Sequence, residues 1–149
     1  MKITAKSRYA LRVLMDVAQS EGKSPRSIGH VAEAQSISEK FVSRIVIPLR
    51  RAGLLATVRG VNGGLRLARF PDKITLLDIV EAMDGPLALV HCLSRPGVCP
   101  KQGKCAAENA WGAANEALAA SLRSITLADV VADQARISPG LRTEPDYCI

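Results

Sequence analysis

The sequence predicts a mainly α-helical chain with a small β-wing: a winged helix-turn-helix unit followed by a long dimerisation helix. Three observations carry this reading. Phe41, Val42, Ile45, Val46 and Leu49 repeat at helical spacing, opposite a face holding Lys40, Ser43, Arg44 and Ile47. A basic hairpin with a glycine-rich tip follows at once, from Leu54 to Arg69. Further on, an alanine-rich segment from Cys105 to Ser124 carries the apolar stripe Ala107, Ala110, Trp111, Ala114, Ala117, Leu118 and Leu122.

The elements follow in order. Residues 4–20 form a first helix with Thr4 as a possible cap and Tyr9, Ala10, Val13, Leu14, Val17 and Ala18 on its apolar face. Lys6, Arg8 and Arg12 make its early part positive, which suits a phosphate or simply a solvated surface. Gly22 and Pro25 mark a loop, and Ser27 caps a short helix over 28–35. Gln35-Ser36-Ile37 turns the chain into the second helix of a helix-turn-helix. Ser36 and Ser38 are both cap candidates, and Ser36 has capping-box spacing to Glu39. Pro48 predicts a kink or break near Arg44–Pro48, and Gly53 a stop. In the wing, Leu54–Val58 and Leu65–Ala68 are strand-like, joined through Gly60-Val61-Asn62-Gly63-Gly64, with Asn-Gly as the turn signal. Arg59, Arg66 and Arg69 decorate the hairpin. Its glycines lack the lysine and hydroxyl of a phosphate-binding loop. Thr75 caps a helix from Leu76 to Met83, residues 85–104 read as a long loop, and Thr126 opens a last helix over 127–135. The predicted organisation is a DNA-binding unit over 1–84, a cysteine-bearing sensor loop over 85–104, dimerisation and terminal helices over 105–135, and a flexible tail over 136–149.

Charge is unevenly placed. Residues 1–70 hold 13 Lys and Arg against 4 Asp and Glu, whereas residues 71–149 hold 7 against 10, together giving the net +6. A basic first half suits a polyanion such as double-stranded DNA. The outward face of the second helix can enter a major groove while the hairpin reaches flanking phosphates. No apolar run approaches a membrane span and no export signal opens the chain, so the expected location is the cytoplasm. With two histidines, His30 and His91, and no nucleophile–base or paired-acid pattern, an enzyme is not expected.

Cys92, Cys99 and Cys105 stand at C-x6-C-x5-C in a segment rich in proline and glycine. Clustered cysteines in a reducing compartment point to metal, cluster or redox chemistry, and thiolates are soft ligands for iron–sulfur clusters and zinc. A fourth ligand is open between Glu108, on the same helix face as Cys105, His91 and Cys148. Glu108 is equally at home as a first-turn acid at a helix N-terminus. The cysteines could also act as thiol switches or hold zinc.

Taken together, MKITAKSRYALRVLMDVA, ISEKFVSRIVIPLRRAGLLATVRGVNGGLRLA and CxxENAW after three spaced cysteines resemble the Rrf-two family of winged-helix transcription regulators, of the IscR/NsrR-like kind, over about residues 1–135. The resemblance implies a homodimer on a roughly palindromic operator. It implies DNA contacts from Ser38, Lys40, Ser43 and Arg44 on the helix and Arg59 and Asn62 in the wing. It also implies an iron–sulfur cluster, 2Fe–2S ahead of 4Fe–4S, on Cys92, Cys99 and Cys105, through which cluster status, redox state or nitric oxide would be sensed. Three departures bear on the cluster. Glu108 stands where IscR-like members have histidine. Ser7-Arg8-Tyr9 occupies the region from which NsrR-like members recruit an aspartate of the partner chain. The first cysteine gap is one residue longer than the family spacing.

Overall fold

Helix α1 (Ala5–Ala18) is the post against which the other elements stack, because Ala10, Val13, Leu14 and Val17 recur on one face and are all buried. The computed structural model describes residues 3–20, 22, 24–95, 97 and 99–137. Helices α2 (Ile28–Ala34) and α3 (Glu39–Arg51) close over that face with Val31, Val42, Ile45 and Leu49. Leu54, Leu65, Ile74, Ile79 and Leu127 complete the core from the wing, α4 (Leu76–Asp84) and α7 (Leu127–Ile137). Each such side chain contributes about 1.5–3 kcal/mol by leaving water. Tyr9 of α1 meets Phe41 of α3 edge-on at 5.4 Å. The Arg12 guanidinium lies 5.3 Å from the Tyr9 ring centre, and its Nε donates to Gln35 Oε1 at 2.9 Å. Arg12 therefore braces α1 against the helix-turn-helix turn.

Thr4 occupies the cap position of α1, but its side chain does not cap. Its hydroxyl and amide, with the Ser7 hydroxyl, all donate to Asp84 at the end of α4, at 2.6, 3.2 and 2.6 Å. Partial burial pushes the Asp84 carboxyl up, but these hydrogen bonds and the charge of Lys6 outweigh it and hold the group below its ordinary 3.8. A carboxylate lowered on folding contributes stability that is complete above its ordinary range and is lost as pH falls through the lowered value. Asp84→Asn should cost on the order of 1 kcal/mol at neutral pH, and urea melts should show the gap from wild type closing below about pH 4.

The turn between α2 and α3 departs from the expected capping. Ser36 adopts a left-handed conformation (φ 52°) that ends α2, with Ile37 N–H donating to the Ala32 carbonyl and Ser36 N–H to that of Glu33. Ser38 is the cap of α3, its Oγ accepting from Phe41 N at 3.2 Å. Glycine is the residue that adopts the Ser36 geometry without a Cβ penalty, so Ser36→Gly should raise stability by about 0.5–1 kcal/mol in denaturant melts. Gly53 (φ 67°) ends α3 in the same way. Helix α3 is not broken at Pro48 and runs on to Arg51. The lost bond is a single one, and the buried residues Ile45, Val46 and Leu49 on either side hold the segment to the core.

The wing pairs β1 (Leu55–Val58) antiparallel with β2 (Gly64–Leu67), Leu55 opposite Leu67 and Val58 opposite Gly64. Asn62-Gly63 is not a two-residue hairpin turn; it closes a five-residue connection in which Gly63 N–H donates to the Gly60 carbonyl at 2.9 Å. A Cβ on Gly63 would lie 2.4 Å from the Val58 carbonyl oxygen, which requires glycine there. Beyond the free edge of β2, Arg26 exchanges two backbone hydrogen bonds with Leu65.

Two copies of an Ile-Thr-Leu-x-Asp motif, at 74–78 and 125–129, form a joint. Leu76 N–H donates to the Ile125 carbonyl and Leu127 N–H to that of Ile74, at 2.9 and 2.8 Å. The equivalence of these bonds gives the joint a local twofold character. In each copy the threonine caps a helix and the aspartate returns the bond, Thr75 with Asp78 and Thr126 with Asp129. The joint fastens the start of α4 to the end of α6 (Ala106–Ser124) and the start of α7.

Residues 85–104 are not wholly irregular, since α5 (His91–Ser94) interrupts them. The segment is gripped from both sides. Glu81 accepts from Leu87 N–H, while Asn115 of α6 accepts from Leu89 N–H and donates to the Leu87 carbonyl. On α6 only Ala119 and Leu122 are buried, with Leu77 and Leu87 in a small second core. Leu122, the last residue of the apolar stripe, therefore belongs to the interior. Ala107, Ala110, Trp111, Ala114, Ala117 and Leu118 stay exposed. Among the described residues, no helix is long and apolar enough to cross a membrane. The tail expected over 136–149, apart from the end of α7, and Cys148 lie outside the described residues.

Candidate nucleic-acid interface and cysteine cavity

Helix α3 turns Lys40, Arg44, Ile47 and Arg51 to solvent at successive turns, with Ser38 exposed at its start and Ser43 half-buried. Ser38 uses its oxygen as a cap acceptor and keeps its O–H as a donor. Arg59 and Asn62 are exposed in the wing connection, beside the fully exposed Val61 at its tip. Among the described residues, the side chains of Lys40, Arg44, Arg59 and Asn62 make no hydrogen bond or ion pair, leaving their donors for an external acceptor. Arg69 does not share this freedom: its Nη2 donates to the Ala52 carbonyl at 3.0 Å and closes the C-terminal end of α3. The face is therefore a cationic helix with a basic hairpin beside it, the combination that groove and phosphate recognition requires. Ile47 was expected on this face; Arg51 was missed as a member of the stripe, although it continues the spacing of Lys40, Arg44 and Ile47.

The second feature is a cavity of about 240 Å³ lined by Val90, Cys92, Cys99, Gln102, Cys105, Ala107, Glu108 and Trp111. Cys92 comes from α5, Cys99 from the loop, and Cys105 is the cap residue of α6. All three are free thiols and half-buried. Glu108, in the first turn of α6, turns back so that its Oε2 accepts from Gly103 N–H at 2.7 Å. Gln102 fastens the loop: its Oε1 accepts from Gly97 N–H at 2.6 Å and its Nε2 donates to the Cys92 carbonyl at 3.0 Å. Three thiols and a carboxylate round one cavity are a donor set that suits iron and zinc. Among the described residues, no three His, Cys, Asp or Glu side chains converge closely enough to hold a single ion. The four donors share a space without meeting at a point. His91 is exposed and does not line the cavity. Gln102, Asn115 and Trp111 were missed as parts of this region. An asparagine in an alanine-rich helix was the available signal, since it competes with the backbone for hydrogen bonds and is a poor helix former.

A helix-turn-helix with an adjoining antiparallel wing and a cationic outer face defines a DNA-binding regulator of the winged-helix class. The chain belongs to the Rrf2 family, whose model, described as an iron-dependent transcriptional regulator, matches residues 3–133. The protein rrf2 of Nitratidesulfovibrio vulgaris is 35% identical over 133 residues, 89% of each chain. The regulator IscR of Vibrio vulnificus is 31% identical over 149 residues, covering 100% of this chain and 88% of the relative. Among solved structures, CymR of Bacillus subtilis, described as the global cysteine regulator, superposes with a TM-score of 0.73 at 32% identity over 89% of this chain and 98% of its own. The family's members are transcription regulators and bind DNA.

Proposed function

We propose that this regulator works as a cytoplasmic homodimer that reads a roughly palindromic operator with Ser38, Lys40, Ser43 and Arg44 of α3 and Arg59 and Asn62 of the wing, and that its cysteine cavity holds an iron–sulfur cluster, 2Fe–2S ahead of 4Fe–4S. The gathering of Cys92, Cys99, Cys105 and Glu108 round one cavity carries the reading. The three cysteines would hold the cluster and Glu108 would complete the set. When bound, the group supplies redox chemistry and reactivity toward oxidants or nitric oxide. The chain's own residues do the rest. Gln102 and Glu108 fix the loop over residues 92–105, and Asn115 fastens the preceding segment to α6. The exposed face of α6, with Trp111 bordering the cavity, suits a second copy. In this reading 1–84 is the DNA-binding unit, 85–104 the sensor loop and 105–135 the dimer handle. Loop closure and DNA affinity are linked if both bias the same two conformations.

The test is anaerobic purification with iron, sulfide, zinc and visible absorbance measured on one sample of wild type and one of Cys99→Ala. Equal iron and sulfide with broad visible bands in wild type, lost in the variant, is expected. Zinc alone, or no metal after reconstitution, overturns the cluster. A second reading, a thiol-redox or zinc-containing regulator of the same fold, is favoured by the absence of three converging donors among the described residues. The likeness to a cysteine regulator points the same way.

A further inference from the structure

We propose that Arg26 is the positioning residue of the wing, tying β2 to α1 and α2 and so setting the angle at which the hairpin meets DNA beside α3. This rests on the reading of α3 and the wing as the DNA interface. An isolated two-stranded hairpin is marginal in water and cannot hold its own orientation. Here the outer edge of β2 is held by Arg26, whose N–H donates to the Leu65 carbonyl at 3.1 Å and whose carbonyl accepts from Leu65 N–H at 2.7 Å. The same residue reaches inward. Its Nη1 lies 2.8 Å from His30 Nε2 on α2, and its Nη2 lies 3.8 Å from Asp16 Oδ1 on α1. A guanidinium only donates, so His30 presents its Nε2 lone pair and carries its proton on Nδ1. One residue thus joins α1 and α2 to the wing.

The arrangement is a poor way to gain stability. Asp16 is 7% exposed, its Oδ2 has no partner, and Arg26 Nε is buried without one. Burial pushes the Asp16 carboxyl above its ordinary value against the opposing charge of Arg26. A buried pair left half-satisfied is weak or unfavourable for stability, and its best-attested use is to select one geometry among several. Gly64 permits the arrangement, since a Cβ there would lie 2.6 Å from the Arg26 carbonyl oxygen.

Two variants of the full chain test this. Arg26→Lys keeps the charge and loses the fork that spans His30 and Asp16. Asp16→Asn removes the desolvated charge, so a purely structural role predicts equal or greater stability and unchanged local protection. The first readout is hydrogen exchange. The Leu65 amide should exchange at least about tenfold faster in both variants while the α3 amides keep their protection. The second is DNA affinity against salt, on a duplex selected by wild type from a random-sequence library. The salt slope should fall by about 1 for each phosphate that the displaced wing no longer neutralises, with base preference under α3 retained. Unchanged Leu65 exchange in Asp16→Asn overturns the proposal even if Arg26→Lys fails to fold. So does an unchanged salt slope, or base preference lost together with slope, when wild type enriches a sequence. A wild type that enriches no duplex overturns the DNA reading itself and the proposal with it.

Discussion

Replacing Gly64 with alanine is expected to destabilise the protein by about 2–3 kcal/mol and to loosen the wing. The added Cβ would lie 2.6 Å from the Arg26 carbonyl oxygen, 2.7 Å from its carbonyl carbon and 3.1 Å from the Pro25 carbonyl carbon. These are backbone atoms and cannot rotate aside as a side chain would. Either β2 recoils from Arg26 and gives up both Leu65 hydrogen bonds, or the α1–α2 connection shifts and carries Arg26 off Asp16 and His30. Leu65 is itself part of the core, so recoil of β2 also disturbs its packing. The corresponding clash at Gly63 is with the wing's own Val58 and Gly60 carbonyls and so stays within the hairpin. Urea melts of the two variants should show the larger loss for Gly64→Ala. A midpoint within experimental error of wild type would show that β2 does not need this close approach.

Arg44→Ala is expected to weaken DNA binding by about 1–3 kcal/mol and to relax preference at one base-pair position, while leaving thermal stability nearly unchanged. Arg44 is exposed at the middle of α3, and its side chain makes no hydrogen bond or ion pair among the described residues. Its removal therefore breaks nothing in the folded chain. In the proposed interface a guanidinium at that place would bridge two acceptors of one guanine, whereas Arg51, near the helix end, would meet phosphate. Titration against the selected duplex and its single-base variants separates the two. Arg51→Ala should lower affinity uniformly, and Arg44→Ala should flatten one position. Unchanged affinity together with unchanged preference for Arg44→Ala would remove it from the interface.

The helices were legible because burial of one face imposes a period that the sequence displays, as at Val42, Ile45, Val46 and Leu49. The cysteine cavity was legible through residue type and spacing, and Glu108 through its place one turn after Cys105. What could not be read is what depends on distant partners. Arg69 looks like another basic wing residue until the Ala52 carbonyl comes within reach. Ser36 and Ser38 are chemically alike, and only the need to end α2 at Ser36 separates them. Leu122 belongs to the apolar pattern of α6 yet faces Leu77 and Leu87, because periodicity defines a face without saying which neighbour covers it. The two Ile-Thr-Leu-x-Asp copies are visible as text, but their pairing appears only once the backbones meet.

That pairing also has a mechanical side. Helix α6 is a rod of 19 residues whose far end is pinned, through Ile125 and Leu127, to the root of α4. Its opposite end begins at Cys105, and the first turns there are largely exposed. Asn115 ties the middle of α6 to Leu87 and Leu89, so the arm beyond it, Ala106–Ala114, is about 14 Å long at 1.5 Å per residue, and a swing of about 5° would carry the cysteine end through about 1.2 Å. Read in reverse, a displacement at the cavity would be passed along α6 to α4, the element that abuts α1 and α3. The twin motif anchors the far end of α6, and the two helices it caps, α4 and α7, run on from that anchor.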